Sequence, residues 1–197
     1  MIRERLKAAT HQVHQRLHGH DGFAAAAAGT IRPPDYRALL ARLYGFHAAF
    51  DAAMTHAPLA LAQDLDLPAR ARSGLLGADL RGLGMAHDGV ARLPRVDLAP
   101  LAGEAAHLGA LYVVEGATLG GALIARALAA YGDNRRFHLG HGGENSRRWR
   151  HFLNRLERLE DDRAEAAERV ALDVFAAFEV WMAGWRGALA EEKGEAA

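Results

Sequence analysis

GALYVVEGATLGGALIARAL, residues 109–128, is apolar and alanine-rich enough to be a helix, yet Gly116, Gly120 and Gly121 stand in its middle. An interior glycine weakens a helix by roughly 1 kcal/mol relative to alanine, so three of them cost about 3 kcal/mol. This chain uses alanine freely everywhere else. Gly116 and Gly120 are four residues apart and share a face, which leaves bare main chain where side chains would stand. Two readings fit. A neighbouring helix packs there at close range, or a flat ligand lies against the backbone and the helix kinks to admit it.

Outward from this stretch the pattern stays helical. Residues 2–18 carry Leu6, Val13 and Leu17 as one buried stripe, with His11, His14 and His18 on an adjoining surface. Ala24–Ala28 is weakly helical, and Thr30-Ile31-Arg32-Pro33-Pro34 is a break. A second helix runs from Pro34 to about Met54, with Tyr36, Leu39, Leu40, Leu43, Phe46, His47 and Phe50 in a 3–4 rhythm. Residues 58–67 read as a connection, 68–82 as a third helix and 84–96 as loop. The central helix is expected from Pro100 to about Ala130, followed by a Gly- and His-containing loop over 135–143. Two amphipathic helices, 144–159 and 162–189, carry Trp149, Phe152, Leu156, Phe175, Phe178, Trp181 and Trp185. No strand alternation and no repeat is visible. The expectation is an all-α single domain of six or seven helices over residues 1–190, with a fraying tail at 191–197.

Composition narrows the chemistry. At 197 residues the chain is long enough to bury a core. Twenty-four Lys and Arg balance twenty-four Asp and Glu, so the electrostatic footprint of a nucleic-acid binder is missing. The absence of cysteine excludes disulfides, thiolate nucleophiles and Cys-based metal sites. MIRERLK leads into no apolar signal region, and Glu115 and Arg126 interrupt the most apolar run too soon for a bilayer span. The expectation is a soluble cytoplasmic protein that uses no membrane. Histidine stands out, at eleven residues.

Several candidates for chemistry follow. His11, His14 and His18, at i, i+3 and i+7, either hold a metal jointly or supply one axial ligand with two bystanders. Lys7 lies two turns before His14 on the same face, placed to meet an anionic group of the same ligand. Glu104-Ala105-Ala106-His107 is one Glu-x-x-His, a unit that di-iron bundles carry twice. Gly140-His141-Gly142-Gly143 lacks both the preceding strand and the Lys-Ser/Thr of a phosphate loop. Arg147, Arg148 and Arg150 form a solvated face, or one of them reaches a ligand carboxylate. The late aromatics are core or the wall of an apolar pocket. Ser73 and Ser146 lie in no nucleophile context.

Two segments resemble the heme oxygenase family. Leu6-Lys7-Ala8-Ala9-Thr10-His11-Gln12-Val13-His14 is similar to that family's LKxATxxxH proximal motif. Leu111-Tyr112-Val113-Val114-Glu115-Gly116-Ala117-Thr118-Leu119-Gly120-Gly121 is similar to its distal motif, in the LYVxEGSxLGG form of the bacterial, biliverdin-producing branch. The resemblance implies a single-domain helical bundle with a kinked, glycine-rich distal helix. It implies that heme is both cofactor and substrate, with His14 as axial iron ligand. Lys7 and Arg150 would meet the propionates, with Arg147 and Arg155 near the second. Gly116, Gly120 and Gly121 would close over the opposite face and steer O2 towards one meso carbon. Biliverdin, CO and Fe2+ would follow from three O2-dependent steps, fed by a donor such as ferredoxin or a flavin reductase. The bilin would serve a photoreceptor or accompany iron release.

The chain departs from the family at two positions. Ala117 stands where many members carry an Asp, and the bacterial branch often a Ser, that organises distal water. Thr118, Glu115 and His107 are the alternative anchors. His18 stands where some members place a Glu to bond the axial imidazole. Two other functions compete: a non-heme di-iron or metal oxidase using Glu104 and His107, and a heme carrier that kept His14 but lost turnover through Ala117.

Overall fold

A computed structural model describes residues 1–189. The expected tail, 191–197, lies outside the described residues. Ten α-helices follow in order among them: α1 (Ile2–His18), α2 (Asp21–Ala27), α3 (Pro33–Met54), α4 (Leu59–Leu65), α5 (Ser73–Gly82), α6 (His87–Arg92), α7 (Gly103–Ala127), α8 (Arg136–Leu139), α9 (Asn145–Leu156) and α10 (Asp161–Ala183). Single 3-10 turns occupy Pro68–Arg70, Ala129–Tyr131, Gly142–Glu144 and Trp185–Gly187. The described residues contain no strand.

The long helices form where the apolar rhythm places them. Prolines at the first turn of α3 fix φ and forgo N–H groups that would be orphaned there anyway. The count exceeds six or seven because four short helices fall below what periodicity reveals. In α4 only Leu61 and Leu65 are buried, in α6 only Val90. The helix expected from Pro68 is a 3-10 turn, and α5 begins at Ser73, where the Asp51 carboxylate accepts the N–H groups of Arg72 (3.0 Å) and Ser73 (2.8 Å). The central helix starts at Gly103 rather than Pro100. It runs as one α-helix through Gly116, Gly120 and Gly121.

That helix, α7, is the axis of the bundle. It packs along α10, against α8 near its C-terminus and against α2, while α1 packs chiefly on α10. Apolar side chains fill two layers. One joins Leu6, Phe46, Leu108, Leu111, Phe152 and Phe175; the other joins Tyr36, Leu39, Leu80, Leu128 and Trp185. By length and composition α7 could cross a bilayer, contrary to the sequence reading, but here it is a core helix whose charged Glu115 is buried against protein.

Close approach to α7 is built from small residues. Gly29, just after α2, adopts φ +69°, and a Cβ there would lie 2.7 Å from the Ala127 carbonyl oxygen. Only glycine satisfies both the left-handed turn and that contact.

Candidate functional site

The glycines of α7 divide into two kinds. A Cβ on Gly109 would stand 2.1 Å from the Ala167 carbonyl oxygen of α10, and one on Gly121 would stand 2.3 Å from the His138 carbonyl oxygen of α8. These two are packing glycines. A Cβ on Gly116 would meet only the tip of the Trp149 ring, at 3.9 Å, and one on Gly120 would meet nothing within 4 Å. The packing reading therefore holds at Gly109 and Gly121, while Gly116 and Gly120 are left open. Gly121, grouped with the ligand-facing glycines in the sequence reading, turns its bare side to α8.

Around the open pair the helix presents an apolar strip. Leu119 (46% exposed) and Leu123 (69% exposed) follow Gly116 at i+3 and i+7, with Gly120 between them and Ala117 exposed beside them. Exposed aliphatics on one face of a core helix, next to missing side chains, make an apolar surface open to contact.

Across from this strip lies α1. Ile2, Leu6, Thr10 and Val13 face the core, which leaves Lys7, His11, His14 and His18 exposed. Thr10 hydrogen-bonds the Tyr112 hydroxyl, so α1 meets α7 there, and His14 and Gly116 each lie one turn further along their own helices. Partial burial, then the neighbouring His18 and His11, lower the His14 pKa from its usual value. The His14 and His18 rings stand edge to face with centroids 4.5 Å apart. His14 therefore keeps a free lone pair at neutral pH, the form that ligates a metal. No three His, Asp or Glu side chains among the described residues are grouped to hold a metal ion, so His11, His14 and His18 do not converge into one.

The cations of α9 differ in what occupies them. Arg155 pairs with Glu104 and with Asp64, Arg147 pairs with Glu144, and Arg148 donates to the Ala69 carbonyl at 3.1 Å. Arg150 is exposed and bonds only the Ser146 carbonyl, at 3.4 Å. Lys7 and Arg150 have no carboxylate partner among the described residues and remain available to an anionic ligand.

Glu104 is thus held by α9, and His107 donates Nδ1–H to the Gly103 carbonyl (2.7 Å). The Glu-x-x-His anchors the start of α7 instead of presenting two metal ligands. Thr118 likewise spends its hydroxyl on the Glu115 carbonyl at 2.7 Å.

Behind the glycine face lies a polar shell that the sequence reading did not find. Buried Glu115 forms an ion pair with Arg70 at 2.7 Å. Arg70 also donates to the carbonyls of Leu65 (2.6 Å) and Arg148 (3.3 Å), so one guanidinium ties α4, α9 and α7 together. Burial lowers the Arg72 pKa to about 10 even with Glu115 and Asp51 nearby; its guanidinium lies over the Phe137 ring and bonds the Phe137 carbonyl. His47 and His138 are buried. Desolvation, reinforced by Arg72, pushes His138 down to about 3 and His47 well below its usual value. The His47 Nδ1 and His138 Nε2 atoms have no protein partner. Buried polar atoms of this kind are normally met by ordered water. These residues come from separate segments with no shared motif. Two signals existed: Glu115 inside an apolar run, and His47 inside a core rhythm.

The comparisons with known proteins agree with this geometry. The sequence model of the heme oxygenase family matches residues 1–185. Among solved structures, the NO- and CO-bound heme oxygenase of Neisseria meningitidis is 23% identical, with a TM-score of 0.75 over 95% of this chain and 92% of that one. Heme oxygenase-1 of the cyanobacterium Synechocystis sp. PCC6803, in complex with heme, is 16% identical, with a TM-score of 0.69 over 98% and 96%. Both likenesses are of fold. Comparison with curated proteins gives no match.

Proposed function

The chain belongs to the heme oxygenase family, and on that premise we propose that it cleaves heme to biliverdin, CO and Fe2+ in the cytoplasm, using O2 and electrons from a ferredoxin or flavin reductase. The observation that carries this reading is the open pair Gly116 and Gly120 on an otherwise packed helix, one turn beyond the contact with α1. A porphyrin is flat and apolar with two carboxylates at one edge, and the residues present fit each of those properties. When bound, heme supplies the iron at which O2 is activated.

The protein's part is placement. His14, kept neutral by partial burial and by its neighbouring histidines, would ligate the heme iron. Lys7 and Arg150, free of protein carboxylates, take the propionates. Gly116 and Gly120 bring main chain instead of side chains to the other face, so the reacting edge is delivered by position. Ala117 offers no hydrogen bond there. Thr118 and Glu115 are occupied, while His107 spends only its Nδ1 and keeps a buried Nε2 without a protein partner, so water on that side is held by the unpartnered nitrogens of His107, His47 and His138. The depressed pKa values of His47 and His138 make those two neutral relays that orient water; they are not proton donors of their own.

The test is a hemin titration of the purified chain. A 1:1 complex is expected, with a histidine-ligated spectrum that is lost in His14→Ala, and reduction should yield biliverdin identified by mass. Failure of the wild-type chain to bind hemin refutes the reading. Binding without any bilin selects a heme carrier. Two irons per chain without porphyrin would favour the di-iron alternative, although Glu104 and His107 are both engaged within the fold.

A further inference from the structure

The open face of α7 is closed at one end and not at the other. At Gly116 the nearest atom to a missing Cβ is Cη2 of Trp149, 3.9 Å away; at Gly120, about 6 Å further along the axis, nothing lies within 4 Å. The indole is held in place. Its ring centroid is 5.4 Å from that of Phe152, which is fully buried, and 5.9 Å from that of Tyr112. Its helix is fixed in turn by Arg148 on the Ala69 carbonyl and by Arg155 on Glu104. Tyr112 and Gly116 are one turn apart on α7, so Tyr112 and the tip of Trp149 together form an aromatic wall across the Gly116 end of the strip. Trp149 is only partly buried. The indole packs on the core through Phe152 and also brings its ring tip to the edge of the Gly116 opening.

We propose that Trp149 is a specificity-determining residue, the stop that fixes how far a tetrapyrrole lies along α7 and hence which ring edge sits over the Gly116–Gly120 backbone. This rests on the reading of the site given above. A flat ligand against that backbone abuts the indole edge on the Tyr112 side and is free on the Leu123 side. With the iron and propionates held as above, its travel along α7 is limited on the Tyr112 side by the indole and by no contact at Gly120. Losing an aromatic edge contact shifts the ratio of two competing placements about two- to tenfold. A single product isomer then becomes a mixture.

The experiment uses the full chain with Trp149→Leu, Trp149→Ala and Trp149→Phe. Three readouts are taken: hemin titration, the proton NMR pattern of the heme methyl groups in the cyanide-ligated ferric complex, and the isomer composition of the bilin after reduction. Trp149→Leu keeps apolar packing on Phe152 and guards against a failure of the alanine variant to fold. The expected result is retained 1:1 binding, a second set of methyl resonances and a second bilin isomer in Leu and Ala, with Phe close to wild type. Unchanged methyl pattern and isomer ratio in a folded, hemin-loaded Trp149→Leu protein would overturn the proposal and leave the family reading intact. Loss of hemin binding in that folded variant would also overturn it, making Trp149 a binding wall with no selective role. A wild-type chain that binds no hemin fails both. If wild type binds hemin without forming bilin, the methyl pattern alone decides.

Discussion

Replacing the four glycines inside α7 (Gly109, Gly116, Gly120 and Gly121) by alanine, one at a time, should split them by sign. None of the four has a left-handed φ, so alanine is unstrained at each and only the surroundings matter. At Gly116 the new methyl meets Trp149 at 3.9 Å, an ordinary contact, and at Gly120 it meets nothing within 4 Å. Both substitutions should recover helix propensity, up to about 1 kcal/mol each, which raises Tm by about 2–4 °C in a chain of this length. At Gly109 the methyl would lie 2.1 Å from a backbone carbonyl oxygen and 2.8 Å from its carbon, and at Gly121 2.3 Å from another carbonyl oxygen. Backbone cannot swing aside as a flexible side chain can. Overpacking of this kind costs about 1–3 kcal/mol, and the propensity gain offsets about 1 kcal/mol of it. Gly109→Ala and Gly121→Ala should therefore lie at or below wild type, by up to about 2 kcal/mol, or roughly 4–8 °C. Hemin affinity should run the other way, falling in Gly116→Ala and Gly120→Ala because their methyl groups occupy the ligand's face. Thermal unfolding of the hemin-free protein, followed by circular dichroism and paired with hemin titration, reads both. A stabilised Gly109→Ala, or a Gly120→Ala destabilised as much as Gly121→Ala, would refute the assignment of open and closed glycines.

Glu115→Ala leaves the Arg70 guanidinium buried without its partner and should cost about 3 kcal/mol; a fall in the urea midpoint at unchanged slope is the check. Lys7→Ala and Arg150→Ala should each weaken hemin binding about two- to fivefold, as expected for exposed charge pairs. The loss should shrink at high salt, with Tm unmoved. His47 and His138 titrate below their ordinary 6.5 in the folded protein. Between that value and the folded pKa of about 3 for His138, the unfolded chain binds more protons, so stability falls as pH falls. One pH unit below 6.5 each buried histidine costs about 1.4 kcal/mol, and His138→Gln should flatten the acid limb of a Tm–pH curve. An unchanged limb in that variant would show that His138 is not buried in its neutral form.

The long helices were legible because each carries several turns of one apolar rhythm. α1 appears with the bounds that rhythm predicts, and α3 starts one residue earlier, at Pro33. The helices that escaped are those with one or two buried residues, such as α4 and α6, whose local signal cannot be told from a connection. Their helical form is settled by tertiary contacts. The opening of α5 at Ser73, for example, is fixed by the Asp51 carboxylate twenty-two residues earlier in the chain.

The candidate site divides along the same line. His14, Lys7 and the glycines were visible because their meaning lies in short spacings on single helices. Arg70, Arg72, His47 and His138 were not, since each gains its role from a partner in another segment. The glycine stretch shows why residue type alone runs out. Gly109, Gly116, Gly120 and Gly121 are chemically identical and sit within four turns of one helix. Two of them are closed by carbonyls of Ala167 and His138, one faces an indole and one faces open space. Whether a missing side chain makes room for protein or for a ligand is decided by backbone from another helix. The motif marks α7 as a helix stripped for close approach, and only the neighbours say what approaches at each position.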